Sequence, residues 1–225
     1  MPALFNKRQI WLPTLWGALL IITIVMSLLV GLWTHIAVYL AKTEPVPSPY
    51  LVVEGWLSEP ALLQAVKEYK SGGYEFIITT GGPDTRQIKP LYDNFADKSA
   101  AFIRSFDLDS DKVISIPTPA SAQDRTYLSA VMVRHWFESQ GITPSITVFS
   151  ADVHARRTHY LYKKAFDNST IGIIAAQATE FELQHWWQSS SGAKSVLTET
   201  AALLWLWCCF SPGEKDSHQE KWGSY

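Results

Sequence analysis

The sequence predicts an α/β fold, in which a Rossmann-like, doubly wound and mostly parallel β-sheet follows one N-terminal transmembrane helix. Two observations predict it. Between residues 50 and 175, short apolar runs alternate with helical segments, and this alternation is typical of a parallel sheet with helices on both faces. Upstream, residues 15–40 contain no Asp, Glu, Lys or Arg, and about twenty apolar residues suffice to cross a bilayer as a helix.

The transmembrane interpretation of residues 15–40 is favoured over two alternatives. A buried core helix is seldom apolar over so long an uninterrupted stretch. A cleaved signal peptide has a shorter apolar region, and small residues are poorly placed for cleavage near Ala41. Trp16 and Trp33 lie toward the two ends of the run, where interfacial aromatic residues are found. We therefore expect an uncleaved, single-pass anchor.

The charges that flank the anchor predict its orientation. Lys7 and Arg8 precede it, so the positive-inside rule places residues 1–14 in the cytoplasm and the main domain outside it. In a bacterial cell the protein would lie in the inner membrane with a periplasmic domain. Residues 41–49 are rich in proline and are expected to form a short, stiff linker.

The α/β domain is expected to span residues 50–210. Continuous apolar runs predict strands that are buried in a parallel sheet, and longer runs with a helical repeat predict the helices between them. The predicted strands are 50–53, 76–80, 113–116, 146–149 and 171–175, and the predicted helices are 60–71, 96–106, a helix that follows Thr126 and ends near 140, 159–166 and 194–210. The polar stretch 211–225 is expected to be a disordered tail.

The last helix leaves two interpretations open. Its apolar run, residues 203–210, is too short to cross a membrane, so it either joins the core or rests on the membrane surface. The run contains the adjacent cysteines Cys208 and Cys209. We expect no bridge between them, because a disulfide between neighbours is strained.

Four polar clusters follow predicted strands at their carboxyl ends. They are Glu54-Gly55, Thr80-Gly81-Gly82, Asp124-Arg125-Thr126, and Ser150 with His154 and Arg157. In a doubly wound sheet, ligands bind beyond the carboxyl ends of the strands, so we expect the four clusters to meet in one site. Taken singly, each glycine cluster also fits a plain tight turn, and Asp124 also fits a helix cap.

The chemistry of these residues favours an anion. Arg125 and Arg157 can make charge-assisted hydrogen bonds to phosphate or carboxylate, and glycine turns offer backbone N–H groups. The predicted ligand-binding residues are therefore Gly55, Thr80, Gly81, Gly82, Arg125, Thr126, Ser150 and Arg157. His154 is the candidate general acid or base, with Glu54 or Asp124 orienting it or activating water. No metal site is expected, because His154 and His159 lack further ligands, and no cofactor is expected.

The pattern resembles the domain-of-unknown-function family that includes the envelope proteins ElyC, SanA and YdcF. The resemblance covers residues 49–175 and rests on the four clusters, although Glu54 stands where the usual member has glycine and Thr80 replaces a common serine. It implies a Rossmann-like domain on an inner-membrane anchor, with a role in envelope or surface-polysaccharide biogenesis.

Three functions remain open. The leading hypothesis is a membrane-anchored envelope protein that binds an anionic, phosphate-bearing ligand such as a lipid-linked glycan. The second is a non-enzymatic adaptor that organises other inner-membrane envelope proteins through Trp186, Trp187 and the 205–207 segment. The third is a nucleotide- or S-adenosylmethionine-binding domain. The formal net charge of -2 and the absence of a basic stripe argue against nucleic acid.

Overall fold

A computed structural model describes residues 12–84, 91–121, 123–166 and 169–211. The chain divides into two compact units, residues 1–36 and residues 37–225. Lys7, Arg8 and almost all of the predicted tail 211–225 lie outside the described residues.

The first unit consists largely of one helix. Helix α1, Leu15–Leu40, continues four residues into the second unit, and its bounds are those predicted. It is the one helix in the described ranges that is long and apolar enough to cross a membrane, by length and composition. This confirms an N-terminal helix that is consistent with a single-pass anchor. A signal sequence would pass the same test, and the orientation stays a prediction.

The second unit contains a five-stranded, all-parallel sheet, which confirms the predicted fold class. Its strands are β1 (Tyr50–Glu54), β2 (Phe76–Gly81), β3 (Val113–Pro117), β4 (Ser145–Ser150) and β5 (Thr170–Ala175), in the order β3-β2-β1-β4-β5. The order reverses between β1 and β4. In folds of this type, that switch point opens a crevice at the carboxyl edge of the sheet.

Helices connect the strands and cover both faces of the sheet. They are α2 (Glu59–Ser71), α3 (Phe95–Arg104), α4 (Arg125–Ser139), α5 (Ala155–Ala165) and α6 (Ser190–Cys209), with short 3₁₀ turns at Ser110–Lys112 and Leu183–Gln188. Both α5 and α6 begin four residues earlier than predicted. The extra turn of α5 places Arg156 and Arg157 inside the helix, on its first turn.

Two apolar layers hold the helices against the sheet. One packs β-strand residues such as Val52 against α4 and α5, and the other packs Leu51 and Val53 against α2 and α3. Consecutive residues of β1 therefore point into opposite layers, and its last four residues, 51–54, are all buried. Burial on both faces is the reason the strands are continuous apolar runs in the sequence.

The segment predicted as a linker lies along the sheet. Glu44 pairs antiparallel with Ile173 of β5 through two backbone hydrogen bonds of 2.7 and 3.0 Å. The backbone N–H of Val46 then donates to the Thr147 hydroxyl at 3.2 Å. A Cβ on Gly172 would lie 2.6 Å from the Val46 nitrogen, so the close approach depends on that glycine. The described part of the segment is thus fixed to β4 and β5.

Helix α6 joins the core through part of its apolar run. Leu203 and Leu206 are buried, whereas Leu204, Trp205 and Trp207 are exposed, and contact with a membrane surface stays a prediction. The Sγ atoms of Cys208 and Cys209 are bonded to each other, so the expectation of no bridge was wrong. The pair occupies the last two residues of α6, where the bridge need not fit within a continuing helix.

Candidate functional site

A cleft of about 970 Å³ opens at the carboxyl edge of the sheet. It is bounded by the residues after β2 and β3, the first turns of α4 and α5, and the middle of α6. Seven of the predicted site residues line it: Gly81, Gly82, Asp124, Arg125, Thr126, His154 and Arg157. Segments that are far apart in the sequence therefore meet at one site, as expected from the parallel topology.

The His154 imidazole has a polar group near each ring nitrogen and an aromatic ring beside it. Its Nδ1 is 2.9 Å from Oε1 of Glu199, and its Nε2 is 3.3 Å from Oγ1 of Thr126. The Trp56 ring packs edge-on against it, with 5.2 Å between ring centroids. The imidazole is buried except where it lines the cleft. The position of the imidazole is thus set by polar contacts at both nitrogens and by the Trp56 ring.

Glu199 of α6 forms a two-point ion pair with Arg157. Nε of Arg157 lies 2.7 Å from Oε2, and Nη2 lies 3.0 Å from Oε1. Burial by itself would raise the pKa of Glu199, but hydrogen bonds and charge from His154 and Arg157 outweigh it and lower this pKa to about 2. Glu199 is therefore ionised at neutral pH.

The two partners of His154 Nδ1 suit different tautomers. Nη2 of Arg157 lies 2.8 Å from Nδ1 and can only donate, whereas the ionised Glu199 can only accept. In the tautomer in which Nδ1–H donates to Glu199, the lone pair is on Nε2, the nitrogen nearest the Thr126 hydroxyl.

Sequence reasoning missed Glu199 and gave its role to other residues. We expected Glu54 or Asp124 to orient His154, whereas the carboxylate on Nδ1 is that of Glu199. Glu199 lies 45 residues after His154, on a helix that follows the last strand. One signal was available, because Glu199 is the one acidic residue in the sequence of α6.

Glu54 and Ser150 lie beneath the cleft and are buried. The Ser150 hydroxyl donates to the Glu54 carboxylate, and the Thr158 hydroxyl lies 3.4 Å from the same oxygen. Oε1 of Glu54 is 3.8 Å from Nε2 of His154. These predicted site residues therefore reach the cleft only through His154. Thr80 is buried on the neighbouring strand, in register with Glu54, and does not line the cleft.

The three predicted glycines allow close packing, two of them against the start of α3 and the third against the residues after β3. A Cβ on Gly55 would lie 2.5 Å from the Phe95 carbonyl oxygen, and one on Gly81 would lie 2.8 Å from the Phe95 Cβ. A Cβ on Gly82 would lie 2.9 Å from the Thr118 hydroxyl. Gly81 and Gly82 also line the cleft, but Gly55 does not. Packing against α3 is thus the structural role of Gly55.

The first turn of α4 carries the remaining charges of the cleft. Asp124 has a left-handed backbone conformation with φ of 44° and makes no side-chain cap to the helix. Arg125 is exposed at the first helical position, and within the described ranges no carboxylate pairs with its guanidinium. Arg125 is therefore available to a ligand, whereas the charge of Arg157 is offset by Glu199.

In the part of the chain that the structure describes, no group of three or more His, Cys, Asp or Glu side chains could hold a metal ion. No protein-family model matches the chain, and no curated protein or solved structure matches it either. The site is thus interpreted from its own geometry.

Proposed function

We propose that this is a membrane-anchored cell-envelope protein that binds an anionic, phosphate-bearing ligand in the cleft, in the biogenesis of the envelope or of an exopolysaccharide. One observation supports this best. Arg125 lines a large cleft at the switch point of the sheet and has no acidic partner in the described ranges. A guanidinium in that position is suited to bind phosphate through two parallel hydrogen bonds.

The rest of the cleft suits a ligand with an apolar portion. Its lining combines the polar residues of α4 with the apolar side chains of Leu161, Ala202, Trp205 and Leu206. Its volume is near the upper end of the range for small-molecule sites, roughly 300–1,000 Å³. An isoprenoid or acyl chain with a phosphate at one end combines the two chemistries. A lipid-linked glycan intermediate has such a structure and would be accessible to a protein with a membrane anchor.

A pair of probes tests the role of the phosphate. Farnesyl phosphate and farnesol share one apolar chain, and only the first is an anion. We expect the full-length protein in detergent to bind farnesyl phosphate at least about tenfold more tightly than farnesol, because a hydrogen bond to a charged group contributes about 1.5–3 kcal/mol. Isothermal titration calorimetry or tryptophan quenching measures both affinities.

Two substitutions assign the effect to the cleft. Arg125→Gln is expected to remove the preference for the phosphate and leave farnesol binding unchanged. The matched control, Lys67→Gln, removes an exposed cation from α2, outside the cleft, and should leave both affinities unchanged. Equal affinities for the two probes, or a preference that survives Arg125→Gln, would rule out this anion site. Adding ATP or S-adenosylmethionine as a competitor tests the nucleotide and cofactor alternative in the same assay.

An adaptor is the second candidate, because α6 exposes Leu204, Trp205 and Trp207. Trp186 is fully buried and cannot contribute to such a surface without unfolding. If the protein is an adaptor, the partner membrane proteins that co-purify with it should be lost on Trp207→Ser and retained on His154→Ala. The reverse result would argue for the ligand site.

A further inference from the structure

We propose that Thr126, His154 and Glu199 form a nucleophilic triad that cleaves a carboxylic ester with an apolar acyl chain. Thr126 is the nucleophile, His154 is the general base and Glu199 positions the imidazole. The proposal deepens the function above and rests on it, since it takes the same cleft as the ligand site.

The three side chains are connected in series. The Thr126 hydroxyl is 3.3 Å from Nε2 of His154, and Nδ1 of His154 is 2.9 Å from Glu199. A nucleophile within reach of a base that a third group orients is the arrangement that activates hydroxyl nucleophiles, and the first contact is often looser before substrate binds. Arg157 holds Glu199 in place through two hydrogen bonds.

The proposed chemistry uses one tautomer of His154. With Nδ1–H donating to ionised Glu199, the lone pair of Nε2 faces the Thr126 hydroxyl. When His154 takes the proton from Thr126, the imidazolium lies between two carboxylates, because Glu199 is hydrogen-bonded at Nδ1 and Oε1 of Glu54 is 3.8 Å from Nε2. Both stabilise the positive charge that the reaction creates, and they offset the Arg157 guanidinium 2.8 Å from Nδ1.

The start of α4 offers hydrogen-bond donors to the negatively charged oxygen that forms during the reaction. Thr126 is the second residue of α4, and the Asp124 side chain does not cap the helix. The first backbone N–H groups of a helix have no partner within it, so here they are able to donate to an oxyanion next to Thr126. These donors support the triad, but the main evidence for it is the geometry of the three side chains.

The reaction balances with water as the co-reactant. The Thr126 oxygen forms a bond to the ester carbonyl carbon while its proton passes to Nε2 of His154. The tetrahedral intermediate collapses, the C–O bond to the alcohol breaks, and the leaving alkoxide takes the proton from His154. Water then attacks the acyl-threonine in the same way and returns the proton to Thr126. The products are a carboxylic acid and an alcohol.

The lining of the cleft indicates which ester would fit. The apolar side chains of Leu161, Trp205 and Leu206 would contact the acyl chain. Arg125, one residue before the nucleophile, would hold a phosphate on the alcohol portion. An acyl ester of a phosphate-bearing lipid has both features, and it is a form of the ligand class proposed above.

Covalent labelling tests the triad independently of ligand binding. The probe is an alkyl fluorophosphonate, which reacts with activated hydroxyl groups, and the protein is the full chain in detergent. We expect one adduct, located on Thr126 by peptide mass spectrometry. Thr126→Ser should be labelled at the same position at an equal or higher rate, and Thr126→Val should not be labelled. Ser139→Ala is the matched control, because it removes an exposed hydroxyl from the same helix, α4, outside the cleft, and should leave labelling unchanged.

The labelling rates of Glu199 variants test the role of this residue. Glu199→Gln should slow labelling at least about tenfold, less than the roughly 10²–10⁴-fold effect of a general base, because Glu199 acts through His154. Glu199→Asp, which keeps the carboxylate, should restore part of the rate. A role limited to stability would reduce the labelled fraction but not the rate at which the folded protein is labelled.

The outcomes separate the two proposals. If neither the wild-type protein nor Thr126→Ser is labelled at residue 126, the triad is refuted, even where farnesyl phosphate still binds through Arg125. Labelling of another residue refutes it equally. If Thr126 is labelled but Arg125→Gln has no effect on farnesyl phosphate, the triad stands and the anionic-ligand proposal fails. Circular dichroism checks that Thr126→Val is folded, and Thr126→Ser provides the test should it not be.

Discussion

Replacing Glu199 with glutamine is expected to destabilise the folded protein in a pH-dependent way. His154 and Arg157 overcome the effect of burial and lower the pKa of Glu199 from its ordinary value of 4.5 to about 2. Each pKa unit corresponds to about 1.4 kcal/mol, so the folded state favours ionised Glu199 by about 3 kcal/mol. Only 14% of the side chain is exposed, so screening by solvent is limited.

The sign of the pH dependence follows from the direction of this shift. A carboxyl whose pKa is lower in the folded state stabilises the protein above its unfolded pKa, and the stabilisation is lost as the pH falls through the folded pKa. The wild-type protein should therefore exceed Glu199→Gln in free energy of unfolding by about 3 kcal/mol at pH 7. The difference should shrink as the pH falls from about 4.5 to about 2.

Denaturant unfolding of both full-length proteins in detergent, followed by tryptophan fluorescence at several pH values, measures this difference. Titrating groups that do not interact with Glu199 are the same in both proteins, so their contributions cancel. Glu182→Gln is the control, because this side chain is 79% exposed and, among the described residues, its ionic partner is the exposed His185. A difference between wild type and Glu199→Gln that stays constant from pH 7 to pH 3 would refute the reasoning. So would a difference below about 1 kcal/mol at pH 7.

Three further substitutions test the packing around the site. Gly55→Ala should destabilise the protein by about 1–3 kcal/mol in denaturant unfolding, because its Cβ would lie 2.5 Å from the Phe95 carbonyl oxygen; an unchanged midpoint would contradict this. Tyr162→Phe should be neutral or stabilising, since the buried Tyr162 hydroxyl has no hydrogen-bond partner among the described residues; a loss above about 1 kcal/mol would indicate an unseen partner. His159 is buried and forms a hydrogen bond with the Ile171 carbonyl, and burial lowers its pKa. As the pH falls, His159 therefore takes up a proton at a higher pH in the unfolded chain than in the folded one. The free energy of unfolding should decrease below about pH 6.5. His159→Gln should flatten that part of the pH profile, and an unaltered slope would exclude His159 as the cause.

Local pattern was sufficient to predict the elements of this fold. All five strands lie within one residue of their predicted bounds, and α1 has the predicted bounds. Strands that are buried on both faces must be apolar throughout, and a helix that can cross a membrane must lack charges, so both signals are contained in short stretches of sequence. The sequence also predicted that Arg125, His154 and Arg157 share one cleft, because parallel strands direct their carboxyl ends to one edge of the sheet.

The sequence by itself determined the secondary structure, the parallel sheet and the edge at which the polar clusters meet, because each depends on periodicity, composition or chain direction. The tertiary structure alone decided which side chains contact one another within that edge. Helix α6 lines the cleft and brings Glu199 to Arg157 and His154. The guanidinium of Arg157, which was expected to bind an anionic ligand, is therefore already paired with a carboxylate. A buried ionic contact depends on how separate helices pack, and no local pattern encodes the distance between residues 45 positions apart.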